Sequence, residues 1–249
     1  MVSLIYYLIT YQDFIFYVFS KILDTCNVNT SEEVLRAHPV NPHFTPTQRQ
    51  YAPHSLKCVK ERIMSTKPNV VFAPHVDTST GIMLPDNYIR EVSDAIHSVG
   101  GLMVLDCIAS GAIWVDMRAT GVDVLVSAPQ KSWSGPACAG LVMLSQRAMD
   151  VLKADESPPS SFVIDLSKWL DIMNAYEAGG FAYHATMPTD ALMTFRDAMI
   201  ETQAFGFDHT KERALQLGCS MHGLMCNENN FVRVAAPGYE SASVLVRQS

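Results

Sequence analysis

From Lys67 onward, continuous apolar runs alternate with apolar positions at helical spacing. Asn69 to Ala73 is a short apolar run of the kind found in a buried parallel strand. Leu84-Pro85-Asp86 reads as a helix start, with Pro and an acid near the first turn. Ile89, Val92, Ile96 and Val99 then recur at helical spacing, and Gly100-Gly101 stops the helix. Leu102 to Asp106 is the next strand. A short helical segment, Trp114 to Thr120, ends at Gly121. Another strand, Val122 to Ser127, runs toward Gln130 and Lys131. Gly140 to Ser145 follows a turn of Gly, Pro and small residues. Strands alternating with helices predict an α/β fold built on a mostly parallel sheet flanked by helices.

That rhythm ends near Val151, and Pro158-Pro159-Ser160-Ser161 marks a break. Asp165 to Ala175 reads as a helix stopped by Gly179-Gly180, and Tyr183 to Pro188 as a polar loop. A strong helix follows, with Thr189 as its cap and Leu192, Phe195, Met199 and Phe205 turned inward. A further helix, about Asp208 to Met225, carries Leu217, Met221 and Leu224, and these Met and Phe stripes are assigned to the core. Phe231 to Ala235 reads as a strand. Ahead of Lys67, Ser55 to Ser65 is a short helix with Leu56, Val59 and Ile63 on one face, and His38-Pro39 and Asn41-Pro42 favour extended or turn structure. The first 24 residues are rich in Ile, Leu, Phe and Tyr. Tyr11-Gln12-Asp13 interrupts them short of the roughly 18 apolar residues of a spanning helix. With no basic region before and no clean cleavage site after, they read as a buried amphipathic segment or a mispredicted first exon rather than a membrane anchor.

A chain of 249 residues, 48% apolar and 17% charged, suits one large globular domain with at most a small appendage. The formal charge of −7, without a Lys/Arg cluster, argues against nucleic acid as a partner. Six scattered cysteines without a CxxC pair suit reduced thiols inside a cell. His54 and Cys58 stand four apart, as ligands on a helix can, but a surface pair is the better reading, and no metal is expected.

The candidate chemistry lies at the strand ends. Asp106 closes one strand and Lys131 follows its neighbour, where open α/β sheets bind ligands. A desolvated lysine can form a Schiff base, and a carboxylate can keep a heteroaromatic nitrogen protonated, so the pair suits pyridoxal phosphate. On residue types alone, Asp106 as a loop cap and Lys131 as a solvated charge serve equally well. Cys107 allows a thiol nucleophile, although an adjacent Asp raises a thiol pKa. No GxSxG, P-loop, GxGxxG or HExxH motif is present.

Taken together, Lys67-Pro68, His75-Val76-Asp77-Thr78-Ser79-Thr80-Gly81, Leu105-Asp106-Cys107-Ile108-Ala109-Ser110, Gly121-Val122-Asp123-Val124 and Ser127-Ala128-Pro129-Gln130-Lys131 resemble the class V aminotransferases of fold type I. The nearest likeness is to the alanine–glyoxylate and serine–pyruvate aminotransferase group, and Tyr183-His184-Ala185-Thr186-Met187-Pro188 extends it to cover roughly residues 67 to 240. The resemblance implies that pyridoxal 5'-phosphate is bound by Lys131, with Asp106 on the pyridinium nitrogen and Ile108 against the ring. It further implies Thr78 on the phenolic oxygen and Gln130 at the phosphate. Lys131 and Asp106 are then the catalytic pair. Gln130, where cysteine desulfurases carry a histidine, favours the aminotransferase branch. Tyr183 and Thr186 match residues that reach the phosphate of a neighbouring subunit, which implies a homodimer with shared sites.

The implied activity moves an amino group from alanine or serine to glyoxylate or pyruvate. An impaired fragment of the same family, or another class V activity such as a lyase or an aminophosphonate transaminase, stays open. The implied layout is an atypical segment at 1–66, a cofactor-binding large-domain core at 67–190, and a helical connection with the start of a truncated small domain at 191–249. A phosphate-cradling Gly-His turn and a ring-stacking aromatic residue are missing ahead of Asn69, and a carboxylate-binding arginine is missing at the other end; Arg247 stands in no matching context. The expected location is intracellular, in cytoplasm, peroxisome or mitochondrion.

Overall fold

The computed structural model describes residues 38–39, 50–155, 161–163, 165–228 and 231–248. In chain order the elements are β1 (His38–Pro39), β2 (Tyr51–Ala52), α1 (Leu56–Thr66), β3 (Val70–Pro74), β4 (Val76–Asp77), β5 (Ile82–Met83), α2 (Asp86–Ser98) and β6 (Leu102–Asp106). Then come α3 (Met117–Thr120), β7 (Val124–Ser127), β8 (Leu141–Leu144), α4 (Gln146–Ala154), α5 (Leu166–Glu177), α6 (Thr189–Phe205) and α7 (Phe207–Gly223). A π-helical turn (Leu224–Glu228), β9 (Val232–Arg233) and β10 (Arg247–Gln248) complete the order. The first 24 residues and Asn41-Pro42 lie outside the described residues. His38–Pro39 is extended, pairing with Tyr51–Ala52.

The central sheet has the order β3-β6-β7-β8. β3, β6 and β7 are parallel, with Pro74 opposite Asp106 and Asp106 opposite Val126. Both faces of the sheet are covered. Met103 and Leu105 of β6 pack with Ile89, Val92 and Ile96 of α2 and with Val59 and Ile63 of α1. Val104 of the same strand joins Val126, Val142, Trp169 and Leu170 on the opposite face. A strand buried on both faces must be apolar at every position, which is why β6 shows no alternation.

Asp123 pins the amino edge of the sheet. Its buried carboxylate accepts hydrogen bonds from Met103 N–H (2.9 Å), Ser145 Oγ (2.9 Å) and His97 Nε2 (2.6 Å). One side chain thereby ties β6 and the strand after it to α2 and to the end of β8.

Several expectations change in detail. β8 runs antiparallel to β7, so the parallel rhythm stops at Ser127 rather than near Val151. The strand before Lys131 ends at Ser127 as expected but begins at Val124 rather than Val122, and Gln130 and Lys131 stand in the turn after it. Thr189 is the first helical residue of α6 rather than its cap; Pro188 holds the cap position and has no side-chain oxygen to offer. On α6, Phe195 is buried as expected, but Phe205 is 59% exposed. On α7, Leu217 and Met221 are exposed too, Leu217 to 65%, as is Leu224 at the start of the π-helical turn. The buried side of α7 is made instead by Gly218 and His222. A Cβ on Gly218 would lie 2.6 Å from Ala242 Cα, so this helix is seated by its smallest residue. The strand expected over Phe231 to Ala235 shortens to Val232–Arg233, and an isolated bridge joins Ala235 to Tyr51.

Candidate active site

Three loops leave the carboxyl edge of the parallel strands and carry most of the sequence-expected residues. The first follows β3. His75 N–H donates to Asp106 O (2.8 Å), and its buried ring Nδ1 lies 2.7 Å from Ser110 Oγ. Burial, then the nearby charge of Lys211, lower the His75 pKa to about 4 against an opposing hydrogen bond at Leu84, so the ring is neutral near pH 7. Asp77 accepts from Ser79 N–H, Ser79 Oγ and Thr80 Oγ1, which shapes the turn that leaves Thr78 exposed.

The second loop follows β6. Asp106 is half-buried and accepts from Ile108 N–H (2.9 Å). Burial raises its pKa, and that N–H offsets the rise in part. Among the described residues it has no cationic partner, so this carboxylate has acceptor capacity to spare. Ile108 is half-buried against the apolar cluster of Val104 and Val126. Cys107 is buried, and its thiol is pushed up to about 12, chiefly by burial, with Ser110 opposing and Asp106 adding. A thiol protonated at neutral pH is no nucleophile, which removes the cysteine alternative.

The third loop follows β7 and holds Gln130 and Lys131. Ser134 N–H donates to Lys131 O (3.2 Å) and Gly135 N–H to Pro129 O (2.9 Å), closing a tight turn that leaves Lys131 exposed. Among the described residues Gln130 Oε1 is buried without a hydrogen-bond partner. A buried amide atom left unsatisfied is costly, and such sites mark where a ligand's polar group belongs.

Residues 239–246 cover the first two loops. Met83 N–H donates to Tyr239 O (2.7 Å), Ser241 N–H to Gly81 O (2.8 Å) and Ser243 Oγ to Ala109 O (3.0 Å). Gly81 and Gly111 permit the approach: a Cβ at Gly111 would lie 2.5 Å from Ser243 Cβ. Arg247 touches the His222 ring and donates to Val246 O, so its guanidinium belongs to this covering segment.

The structure thus brings Thr78, Asp106, Ile108, Gln130 and Lys131 to one edge. Tyr183 and Thr186 are exposed on the loop between α5 and α6, hydrogen-bonded to each other at 2.9 Å. His184 anchors that loop by donating to Phe162 O and packing on Trp169.

A family model described as Aminotransferase class-V matches residues 19–245. The chain belongs to the class V aminotransferase family. Members of this family are enzymes that use pyridoxal phosphate. The match takes in residues ahead of Lys67, where the motifs alone begin. Among its relatives, the alanine–glyoxylate aminotransferase of Callithrix jacchus is 25% identical over 189 residues, 76% of this chain and 43% of that protein. The serine–glyoxylate aminotransferase of Hyphomicrobium methylovorum is 28% identical over 147 residues, 59% of this chain and 35% of that protein. In three dimensions the class V fold recurs in the alanine–glyoxylate aminotransferase of Nostoc sp., with a TM-score of 0.67 at 20% identity over 76% of this chain and 48% of that one. The ureidoglycine–glyoxylate aminotransferase of Bacillus subtilis gives 0.68 at 20% identity over 77% and 48%. The chain spans less than half the length of each of these class V relatives. Among the described residues no helix is long and apolar enough to cross a membrane.

The residues at the carboxyl edge fit the family's cofactor. Among the described residues Asp106 is an acceptor short of a cation and Gln130 Oε1 is buried and unsatisfied, and Thr78 is exposed on the facing loop. Sequence reading had assigned no role to His75, Ser110, Trp114, Trp133 or Lys211. His75 and Ser110 lie within the motif runs, and Trp133 is the one bulky residue in the run Ser132-Trp133-Ser134-Gly135-Pro136.

Proposed function

We propose that this edge binds pyridoxal phosphate through Lys131 and Asp106, and that the protein passes an amino group from alanine or serine to a 2-oxo acid such as glyoxylate or pyruvate. The observation that carries the reading is the half-buried Asp106 carboxylate, without a cationic partner among the described residues, one strand away from the turn that presents Lys131. When bound, the cofactor supplies an electron sink for the carbon that bears the substrate's amine. Asp106 would accept from a cationic ring N–H, which would offset the cost of burying a carboxylate with one backbone donor. Lys131 Nζ would hold the cofactor covalently and would carry a proton to and from the substrate carbon. Thr78 and Gln130 would hold the cofactor's polar groups, Thr78 through its hydroxyl and Gln130 through its amide, and the Ile108 side chain would cover the ring and exclude water.

Tyr183 and Thr186 serve the cofactor of a second copy, which makes the functional unit a homodimer. Their exposure and mutual hydrogen bond suit a loop offered outward. The choice of donor and acceptor follows the names of the relatives, alanine–glyoxylate and serine–glyoxylate aminotransferase.

The test is purification with pyridoxal phosphate, borohydride reduction and peptide mapping, followed by transamination assays with alanine or serine and glyoxylate. The label is expected on Lys131 and absent from Lys131→Ala. Asp106→Asn should retain bound cofactor while turnover falls by about 10²–10³. Label elsewhere, or none, overturns the assignment.

A further inference from the structure

The turn that presents Lys131 carries a buried aromatic side chain. Trp133, two residues on, is 8% exposed and sits in an aromatic cluster drawn from three other parts of the chain. Its ring centroid lies 4.7 Å from Trp114 on the loop after β6, 6.0 Å from Phe195 of α6 and 6.1 Å from Phe207, the first residue of α7. Phe207 also meets Trp114 edge-on at 5.5 Å. Lys211, one turn along α7, donates from Nζ to Trp114 O (2.9 Å) and locks that loop to the helix.

The backbone of the turn needs such an anchor. Ser134 has φ +53°, a left-handed conformation that a residue with a side chain adopts only when its surroundings enforce it. Gly135 has no room for a Cβ, which would lie 2.9 Å from the Phe195 ring and 3.4 Å from Pro129. The turn is therefore pressed between Pro129 and α6, with Trp133 as a deep aromatic hold on its far side. Lys131 itself is exposed and lies between this hold and Gln130.

We propose that Trp133 is the positioning residue of Lys131. Its ring, clamped by Trp114, Phe195 and Phe207, fixes the turn so that Lys131 Nζ is presented at the carboxyl edge near Asp106. The position of α6 and α7 is thereby transmitted to the reactive lysine. This rests on Lys131 being the cofactor-binding lysine. A side chain that merely fills the core would, on truncation, lower stability and leave the chemistry of Lys131 unchanged. A positioning residue changes that chemistry in protein that is still folded.

The experiment compares wild type, Trp133→Leu, Trp133→Phe and Phe207→Leu, each loaded with pyridoxal phosphate. The readouts are the rate of borohydride-trappable attachment at Lys131, the pH titration of the visible band of the lysine-bound cofactor, and thermal melting. Trp133→Leu should slow attachment about tenfold and shift the titration, since small misplacements of a reacting group cost at least that much. Trp133→Phe, which keeps the edge-on contacts, should restore the rate to within about twofold. Phe207→Leu, at a half-exposed position that threatens folding least, should slow attachment about threefold. Wild-type rates and titration in folded Trp133→Leu overturn the proposal. If that variant does not fold, an unchanged Phe207→Leu overturns it instead. Failure of wild type to label Lys131 overturns the cofactor reading, and this proposal with it; labelling of wild type and variants alike overturns this proposal only.

Discussion

His75 makes the protein's stability depend on pH in a way that one substitution should erase. The ring is 1% exposed, bridges the loops after β3 and β6 through Ser110, and is held neutral by burial and by the charge of Lys211. In the unfolded chain a histidine takes up its proton near 6.5; in the folded chain this one does so at about 4. Between those values the unfolded state binds more protons, so stability falls as pH drops from about 6.5 to about 4 and levels off below. The gap corresponds to about 3 kcal/mol, a large share of the stability of an ordinary domain. Urea unfolding at about pH 7.5, 5.5 and 4 measures it, with His75→Asn as the reference. Asparagine keeps a polar group for Ser110 but cannot take up the proton. All other acids and bases are common to both proteins, so the difference between the two curves isolates His75. Wild type should lose about 3 kcal/mol more than the variant across this range. Parallel curves would refute the reasoning.

Two more outcomes follow from close contacts. Asp123→Ala removes the acceptor for the Met103 N–H, the Ser145 hydroxyl and the His97 ring at once, and should cost about 3–5 kcal/mol in chemical denaturation, whereas an exposed control such as Asp94→Ala should cost little. Gly101→Ala places a Cβ 2.6 Å from Pro68 O and from Ile96 Cδ1, and 2.8 Å from Asn69 O. Because two of these are backbone oxygens, the entry to β6 must shift, and the melting temperature should drop by an amount that reflects about 1–3 kcal/mol.

The middle of the chain was legible because its physics is local. β6 matches its expected limits, Leu102 to Asp106, since a strand buried on both faces leaves an uninterrupted apolar run bounded by Gly101 and by a charged residue. The helix expected over Ser55 to Ser65 is found one residue later, at Leu56–Thr66, with Ser55 as its cap, its hydroxyl accepting from Cys58 N–H. Strand direction was not legible: β8 looks like its parallel neighbours, because an apolar run carries no sign of orientation. The Leu217, Met221 and Leu224 stripe failed for a related reason. Spacing shows which residues share a face of a helix, but the close approach at Gly218 decides which face is buried. At the candidate site, the strand-end positions of Asp106 and Lys131 could be read from pattern. The aromatic cluster could not, because Trp114, Trp133, Phe195 and Phe207 come from four separate segments and meet only in the fold.

The hydrogen bond from Ser243 to Ala109 joins residues 134 positions apart. At the usual speed of a ribosome, that separation means a delay on the order of ten seconds between synthesis of the loop and synthesis of its cover. During this interval the sheet, whose strands all lie before Ser145, has everything it needs to form. The loops holding Thr78 and Ile108 do not, because the backbone partners of Gly81 and Met83 and the hydroxyl that caps Ala109 have yet to be made. The candidate site is therefore finished late: a nascent chain passes through a stage with a complete scaffold and an open site, and surveillance by chaperones would fall in that stage.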